Sequence, residues 1–403
     1  MTFPVFVTHK NISLLCLVIG SLALAFTSYQ WYATNQRFVT RSAEVQLITS
    51  QYKIELEETE RQLAAVEASL LELQNQDQVK RNEVLRTEIT DIQKTFTATM
   101  LQYEKLLDLK DASIKTQTLD TQFTTILKLL SQRNYSSASA SLQQLTSLIE
   151  LEQAKLIISQ PIPSNVPQIS EAPGSGYRRQ SVESEVGTFL VDVLAADLNS
   201  TRVVVETASA GDCGDNCPVD SLSSFVSRAG GFAGINGPYF CPAEYPSCAG
   251  KTNSFDTLLM NKNKQYFNSD NNVYSTVPAV IFSGNSARFV GQSQEWGRDT
   301  GVDSVIASQP LLLANNEIRF GGDGDPKKGS RGSRSFIGTS GSTVYIGVVR
   351  SATVAEVAYV LKKMGIQSAL NLDSGGSTAF YTGGRYVAGP GRNTPLGIVL
   401  VRK

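Results

Sequence analysis

No proline or glycine occurs between Val45 and Leu107, and within that span Tyr52, Leu56, Thr59, Leu63, Val66, Leu70 and Leu73 recur in alternating steps of four and three. A stretch of this kind folds as a long helix whose apolar seam returns about every 3.5 residues, and a seam of that period is buried by a second helix wound around it. The register fails at Asp77 and Lys80, then resumes through Leu85, Ile89, Ile92, Phe96 and Tyr103. Such a phase break locally relaxes the supercoil. Residues 36–112 are therefore expected to be a coiled-coil stalk that pairs with a second copy of the chain. The competing arrangement is a fold-back onto a neighbouring helix of the same chain.

Ahead of the stalk, Ile12 to Phe26 carries no charge, and Tyr29, Trp31 and Tyr32 follow it as an aromatic belt. Counted through Tyr32, the segment is about long enough to span a bilayer, so residues 1–35 are read as a retained membrane anchor. A cleaved signal peptide is the alternative, because Ala23-Leu24-Ala25 resembles a small-residue cleavage site. Either reading puts the rest of the chain on the extracytoplasmic side.

After the stalk, residues 113–158 read as a helical hairpin broken near Ser131 to Tyr135, with Ala138, Leu142, Leu145, Leu148 and Ile149 as the second apolar stripe. The Pro-, Ser- and Gly-rich residues 159–181 read as a linker. Beyond it the pattern changes to short runs of β-branched residues, Thr188 to Ala196 and Arg202 to Thr207, among glycine-rich turns. Residues 182–403 are expected to be an α+β domain with a mixed sheet and a β-α-β unit near the C-terminus. In that unit Thr343 to Val349 is the first strand, Thr353-x-x-Glu356 a capping box, Gly365 the helix stop, and Ile366 to Leu372 the second strand.

Composition removes several kinds of chemistry. The 36 Lys plus Arg and 37 Asp plus Glu nearly cancel, so the basic footprint of a nucleic-acid binder is missing. The single histidine, His9, lies ahead of the apolar segment. No Ser-His-Asp triad, Cys-His dyad or histidine-ligated zinc site can be built in the body of the chain. Catalysis must then run on carboxylates, Arg, Lys, Tyr, amides or a hard cation. Apart from Cys16, the cysteines are Cys213, Cys217, Cys241 and Cys248, which read as two disulfides with three possible pairings. A four-thiolate zinc site fits their spacing poorly.

Three glycine-flanked polar clusters hold the candidate chemistry. Asp373 sits at the carboxyl end of the second strand of the β-α-β unit, the usual ligand position in such units. It is followed by Ser374, Gly375, Gly376, Ser377 and Thr378, whose glycines let backbone N–H groups approach an anion or a sugar oxygen. Asn236 and Gly237 lie in Gly230 to Phe240, and Arg331 and Arg334 in Gly329 to Gly338. Arginine's planar fork is the natural partner of a phosphate. Arg392 and Asn393 precede the last strand. Singly, each cluster is also compatible with a turn or a solvated charge.

Taken in order, G-I-N-G-x-[YF]-F, G-x-R-[ST]-x-I-G, A-L-N-L-D-x-G-G-S-T and G-R-N-x-P-x-x-I resemble the phosphodiester glycosidase family, which includes an N-acetylglucosamine-1-phosphodiester alpha-N-acetylglucosaminidase. The resemblance runs from about Thr188 to Val401. It implies an active site containing Asn236, Arg334, Asp373, Gly375, Gly376 and Ser377. Two positions depart from the pattern. Ser374 stands where a third glycine is usual, and the Asn-Gly segment runs into Cys241-Pro-Ala-Glu-Tyr-Pro-Ser-Cys248, which points to a different substrate.

The expected function is hydrolysis of a sugar-1-phosphodiester, in a glycan or cell-envelope polymer such as an exopolysaccharide. Arg334 would neutralise the phosphate, with Asn236, Gly237, the Gly375 and Gly376 amides, Ser377, Arg392 and Asn393 around it, and Asp373 would act at the anomeric centre. A second carboxylate is expected among Asp256, Glu244, Asp192 and Glu295. No cofactor is expected: Gly321 to Asp325 only superficially resembles a calcium loop and lacks the full ligand spacing. The alternative is a non-catalytic module that binds envelope glycans from a coiled-coil stalk.

Overall fold

The computed structural model describes residues 9–111, 115–158, 162–270 and 276–403. The outermost residues of the expected anchor (1–8), the stalk-hairpin boundary (112–114) and the start of the expected linker (159–161) lie outside the described residues. Two units are distinguished, Met1–Thr90 and Asp91–Lys403.

The first unit contains helix α1 (His9–Asn75) and the start of α2 (Asp77–Asp111), which meet at Gln76. The break therefore falls within the predicted phase change. Tyr52, Leu56, Leu63, Val66, Leu70 and Leu73 are all exposed. The anchor requires correction. Among the described residues no helix is long and apolar enough to cross a membrane; the charge-free run Ile12 to Phe26 is short, and Thr27, Ser28 and Gln30 follow it at once.

In the second unit, the end of α2 packs with α3 (Gln117–Ser131) and α4 (Tyr135–Ile158) around Leu106, Leu109, Leu119, Ile126, Leu130, Leu142, Leu145 and Ile149. α3 and α4 are separated at Gln132 to Asn134. From Thr95 onward α2 buries Thr95, Thr99, Gln102, Leu106 and Leu109, while Phe96 is exposed. The predicted continuation of the seam through Phe96 is thus displaced by one position, because Leu106 and Leu109 pull that face against α3 and α4.

Three sheets follow. The largest has the order β1 (Gly176–Ser184), β2 (Gly187–Asp197), β13 (Thr343–Ala352), β12 (Gly332–Ser340), β14 (Ser368–Asn371), β10 (Leu311–Ala314), β11 (Glu317–Ile318). The second has the order β16 (Arg385–Ala388), β15 (Phe380–Thr382), β4 (Ala233–Asn236), β17 (Leu396–Arg402), β3 (Thr201–Thr207). The third has the order β6 (Tyr266–Phe267), β5 (Leu259–Met260), β9 (Ser304–Ala307), β7 (Ala279–Ser283), β8 (Ser286–Val290). A shared core containing Leu194, Val205, Ile235, Phe282, Ile306, Ile346, Leu370, Phe380 and Ile398 joins all three.

The α+β class holds, with two adjustments. Paired strands run antiparallel within the named ladders, and the two strands of the β-α-β unit, β13 and β14, both pair with β12, which lies between them. Their connecting helix (Val354–Lys363) carries the predicted capping box at Thr353 and Glu356, and Gly365 takes φ +79° just beyond its end. The described part of the expected linker is built into the domain. Ile169 N donates to Ser181 O at 2.9 Å, Ala172 N donates to Met364 O at 3.0 Å, and β1 already begins at Gly176.

Candidate active site

The carboxyl end of β14 leads through Leu372 into Asp373 and then a tight turn, Gly375–Ser377, in which Gly375 adopts φ +63°. The end of β4 lies beside it. Asn236, 1% exposed, ties the two together. Its Nδ2 donates to Asp373 O at 2.7 Å and to Gly237 O at 3.2 Å. Its Oδ1 accepts from Ser335 Oγ at 2.8 Å and from Ala379 N at 3.1 Å. All of its hydrogen-bonding capacity is spent inside the protein. Asn236 is therefore a buckle that shapes the Asp373 loop and does not itself line the cavity. Gly237 is packed closely, since a Cβ there would lie 2.4 Å from Leu396 Cδ1 and force that side chain to shift.

A cavity of about 1010 Å³ opens over this loop, and Asp373, Gly375, Gly376, Ser377, Arg334 and Arg392 line it. Asn393 is exposed and outside it. Asp373 Oδ1 accepts from Ser374 N at 2.8 Å. Burial pushes the Asp373 carboxyl up to about 6, against the lowering effects of Ser377, the Ser374 amide and Arg392, while Asp108 raises it further. The group thus titrates close to neutrality, as an acid or base of a working site must.

Arg334 extends from β12 and is 7% exposed. Its Nε donates to Ala352 O at 3.1 Å, and its Nη2 to Lys327 O at 2.8 Å and to Ser330 O. Carbonyl dipoles fix the guanidinium without neutralising it, and burial lowers its pKa, the mark of a desolvated cation. A buried cation on a cavity wall, held by three carbonyls and the Ser330 hydroxyl, favours an anionic ligand. Arg392 is a second cation there. Its backbone N donates to Gly376 O at 2.8 Å, which sets the side chain beside the Asp373 turn.

Among the four second-carboxylate candidates, Asp192 is fully buried, with its oxygens 2.7 Å from Arg179 Nε and 2.8 Å from Arg350 Nη2. Glu295 caps a short turn, accepting from Gln292 N at 3.0 Å. Both are structural. Glu244 stands 3.7 Å from Arg392 but outside the lining, whereas Asp256 lines the cavity and has its pKa raised by burial.

Tyr239 and Tyr245 line the cavity too, though their sequence context did not single them out. Tyr239 lies inside the G-I-N-G-x-[YF]-F motif, and its hydroxyl accepts from Asn371 Nδ2 at 2.8 Å. Tyr245 lies in the loop closed by the Cys241–Cys248 disulfide; the other bridge is Cys213–Cys217. Both pairings are the local ones, which rules out the thiolate zinc site and is typical of a chain matured in an oxidising compartment. In the Gly321 to Asp325 segment, Asp323 and Asp325 both pair with Lys328.

Residues 233–401 match the model of the family described as phosphodiester glycosidase. That span is a phosphodiester glycosidase domain. It contains Asp373, Arg334 and Arg392, together with both adjoining sheets' strands β4, β12, β14 and β17. Among solved structures, this chain is similar to a hypothetical protein from Synechocystis at 11% identity and TM-score 0.40, covering 56% of this chain and 62% of that one. It is also similar to the zebrafish N-acetylglucosamine-1-phosphodiester alpha-N-acetylglucosaminidase catalytic domain auto-inhibited by pro-peptide, at 15% identity and TM-score 0.44, covering 58% of this chain and 85% of that one. The chain thus spans less than two thirds of the Synechocystis protein's length. No curated protein matches it.

Proposed function

We propose that the phosphodiester glycosidase domain hydrolyses a sugar-1-phosphodiester on an exported glycan or envelope polymer. The observation that carries this reading is the pairing, on one cavity wall, of a near-neutral carboxyl, Asp373, with a buried guanidinium fixed by carbonyl groups, Arg334. In the reaction, Arg334 and Arg392 take the phosphate oxygens, and ionised Asp373 stabilises positive charge at the anomeric carbon. Asp256, the other lining carboxyl with a raised pKa, is the candidate acid-base partner. Water adds its oxygen to the anomeric carbon, the bond from that carbon to the bridging oxygen breaks, and the electron pair leaves on a phosphomonoester. A phosphomonoester is a weakly basic leaving group, so a site without histidine suffices.

Hydrolysis in heavy-oxygen water tests the bond assignment. The label should appear in the released sugar; label in the phosphate would instead mean attack at phosphorus. A purely binding site is disfavoured, because a carboxylate beside an anionic ligand costs affinity and gains nothing without chemistry. We further propose that α1 pairs with a second copy of the chain through its exposed seam, which presents the domains as a homodimer.

A further inference from the structure

The cavity is not walled by the phosphodiester glycosidase domain alone. Lys105, Asp108 and Leu109 of α2, with Glu150 and Gln153 of α4, complete it. We propose that Asp108 is a positioning residue of the phosphate site, holding Tyr245 and, through it, Arg392, so that α2 is part of the active site.

The contacts form a short chain. The Tyr245 hydroxyl donates to Asp108 Oδ1. Two cations approach the Tyr245 ring, with Arg392 Cζ 5.1 Å and Lys327 Nζ 5.0 Å from its centroid. A guanidinium at that distance from an aromatic ring is attracted by the ring's quadrupole and loses freedom. Asp108 itself stands 3.9 Å from Arg392 Nη2, at the limit of an ion pair.

The helix end that presents Asp108 is anchored independently. One turn earlier, Glu104 is 2% exposed; it accepts from Ser247 Oγ and pairs with Lys327 Nζ at 3.2 Å. Ser247 and Tyr245 share the loop closed by the Cys241–Cys248 bridge. A buried carboxylate bound on two sides is costly to dislodge, so Glu104 ties α2 to this loop. Burial and Asp108 raise the Tyr245 pKa, which keeps its hydroxyl a donor.

The inference rests on Arg392 binding phosphate, and its test does not require turnover. Inorganic phosphate is titrated into the full chain and into Asp108→Ala, Tyr245→Phe, the double variant and Asp108→Asn, with calorimetric readout. Loss of one buried hydrogen bond should weaken binding roughly tenfold in Asp108→Ala and in Tyr245→Phe. The double variant should be no weaker than either single one, because both remove the same link. Asp108→Asn, whose amide oxygen still accepts from Tyr245, should stay within about twofold of the parent.

Tighter phosphate binding by Asp108→Ala would overturn the proposal, since it would mean that the carboxylate only competes with the ligand. Additive losses in the double variant, or no phosphate binding by the parent chain, would overturn it equally. The expected pattern in a chain that releases no sugar would leave the positioning role standing and remove the hydrolase.

Discussion

The Asn236 side chain donates from Nδ2 to the carbonyl oxygen of Asp373 at 2.7 Å, across 137 residues of sequence. With Ser335 Oγ and Ala379 N on its other end, this amide welds β4 to the Asp373 turn. Asn236→Ala would orphan three buried polar groups, and the expected loss is about 2–4 kcal/mol of stability together with the activity. Chemical denaturation measures the first; a variant as stable as the parent would show that the buckle is dispensable.

Asp373 should limit stability as well as serve chemistry. Its folded pKa, about 6, lies above the ordinary carboxyl value of 3.8. Ionising it in the fold is therefore unfavourable, and the penalty grows as pH rises from about 4 to 6 and is constant above that. Asp373→Asn, which can still accept from Ser374 N, should gain on the order of 1–3 kcal/mol at pH 7 and nothing below about pH 4. Thermal unfolding at several pH values checks the sign, and a variant less stable at pH 7 would contradict it.

The same carboxyl sets the acid limb of the reaction. The mechanism needs ionised Asp373, so kcat/KM should fall tenfold per pH unit below about 6. A profile flat from pH 4 to 7 would remove Asp373 from its role.

The exposed seam of α1 makes a separate prediction. Leu63→Glu with Leu70→Glu places charges at two seam positions that are exposed in the single chain. Sedimentation should show a dimer for the parent and a monomer for the variant, with sugar release per chain unchanged. A parent chain that sediments as a monomer would contradict the pairing.

What the sequence made legible was local. The break near Asp77 and the Thr353 to Gly365 helix each depend on side chains within a few positions of one another, and the structure has a helix break at Gln76 and a capped helix from Val354 to Lys363. Asp373 was legible because a strand end followed by glycines is itself a local signal. The role of Asn236 was not, since the partners that consume its amide come from β12, β15's approach and the Asp373 loop. Asp108 was invisible for a related reason: on α2 it is one more polar residue of a helix, and only the third dimension brings it to Tyr245. The linker misled because Pro and Ser also suit an edge segment bonded to Ser181.

Sugar release from a sugar-1-phosphodiester by the full chain, with its disulfides formed, tests the central claim most directly. UDP-N-acetylglucosamine and a panel of sugar-1-phosphodiesters serve as substrates, beside Asp373→Asn and Arg334→Ala. The account predicts release by the parent chain and a loss of at least about a hundredfold in each variant, as removal of one transition-state charge contact causes. A folded parent that releases no sugar from any of them, or an Asp373→Asn variant as active as the parent, would contradict it.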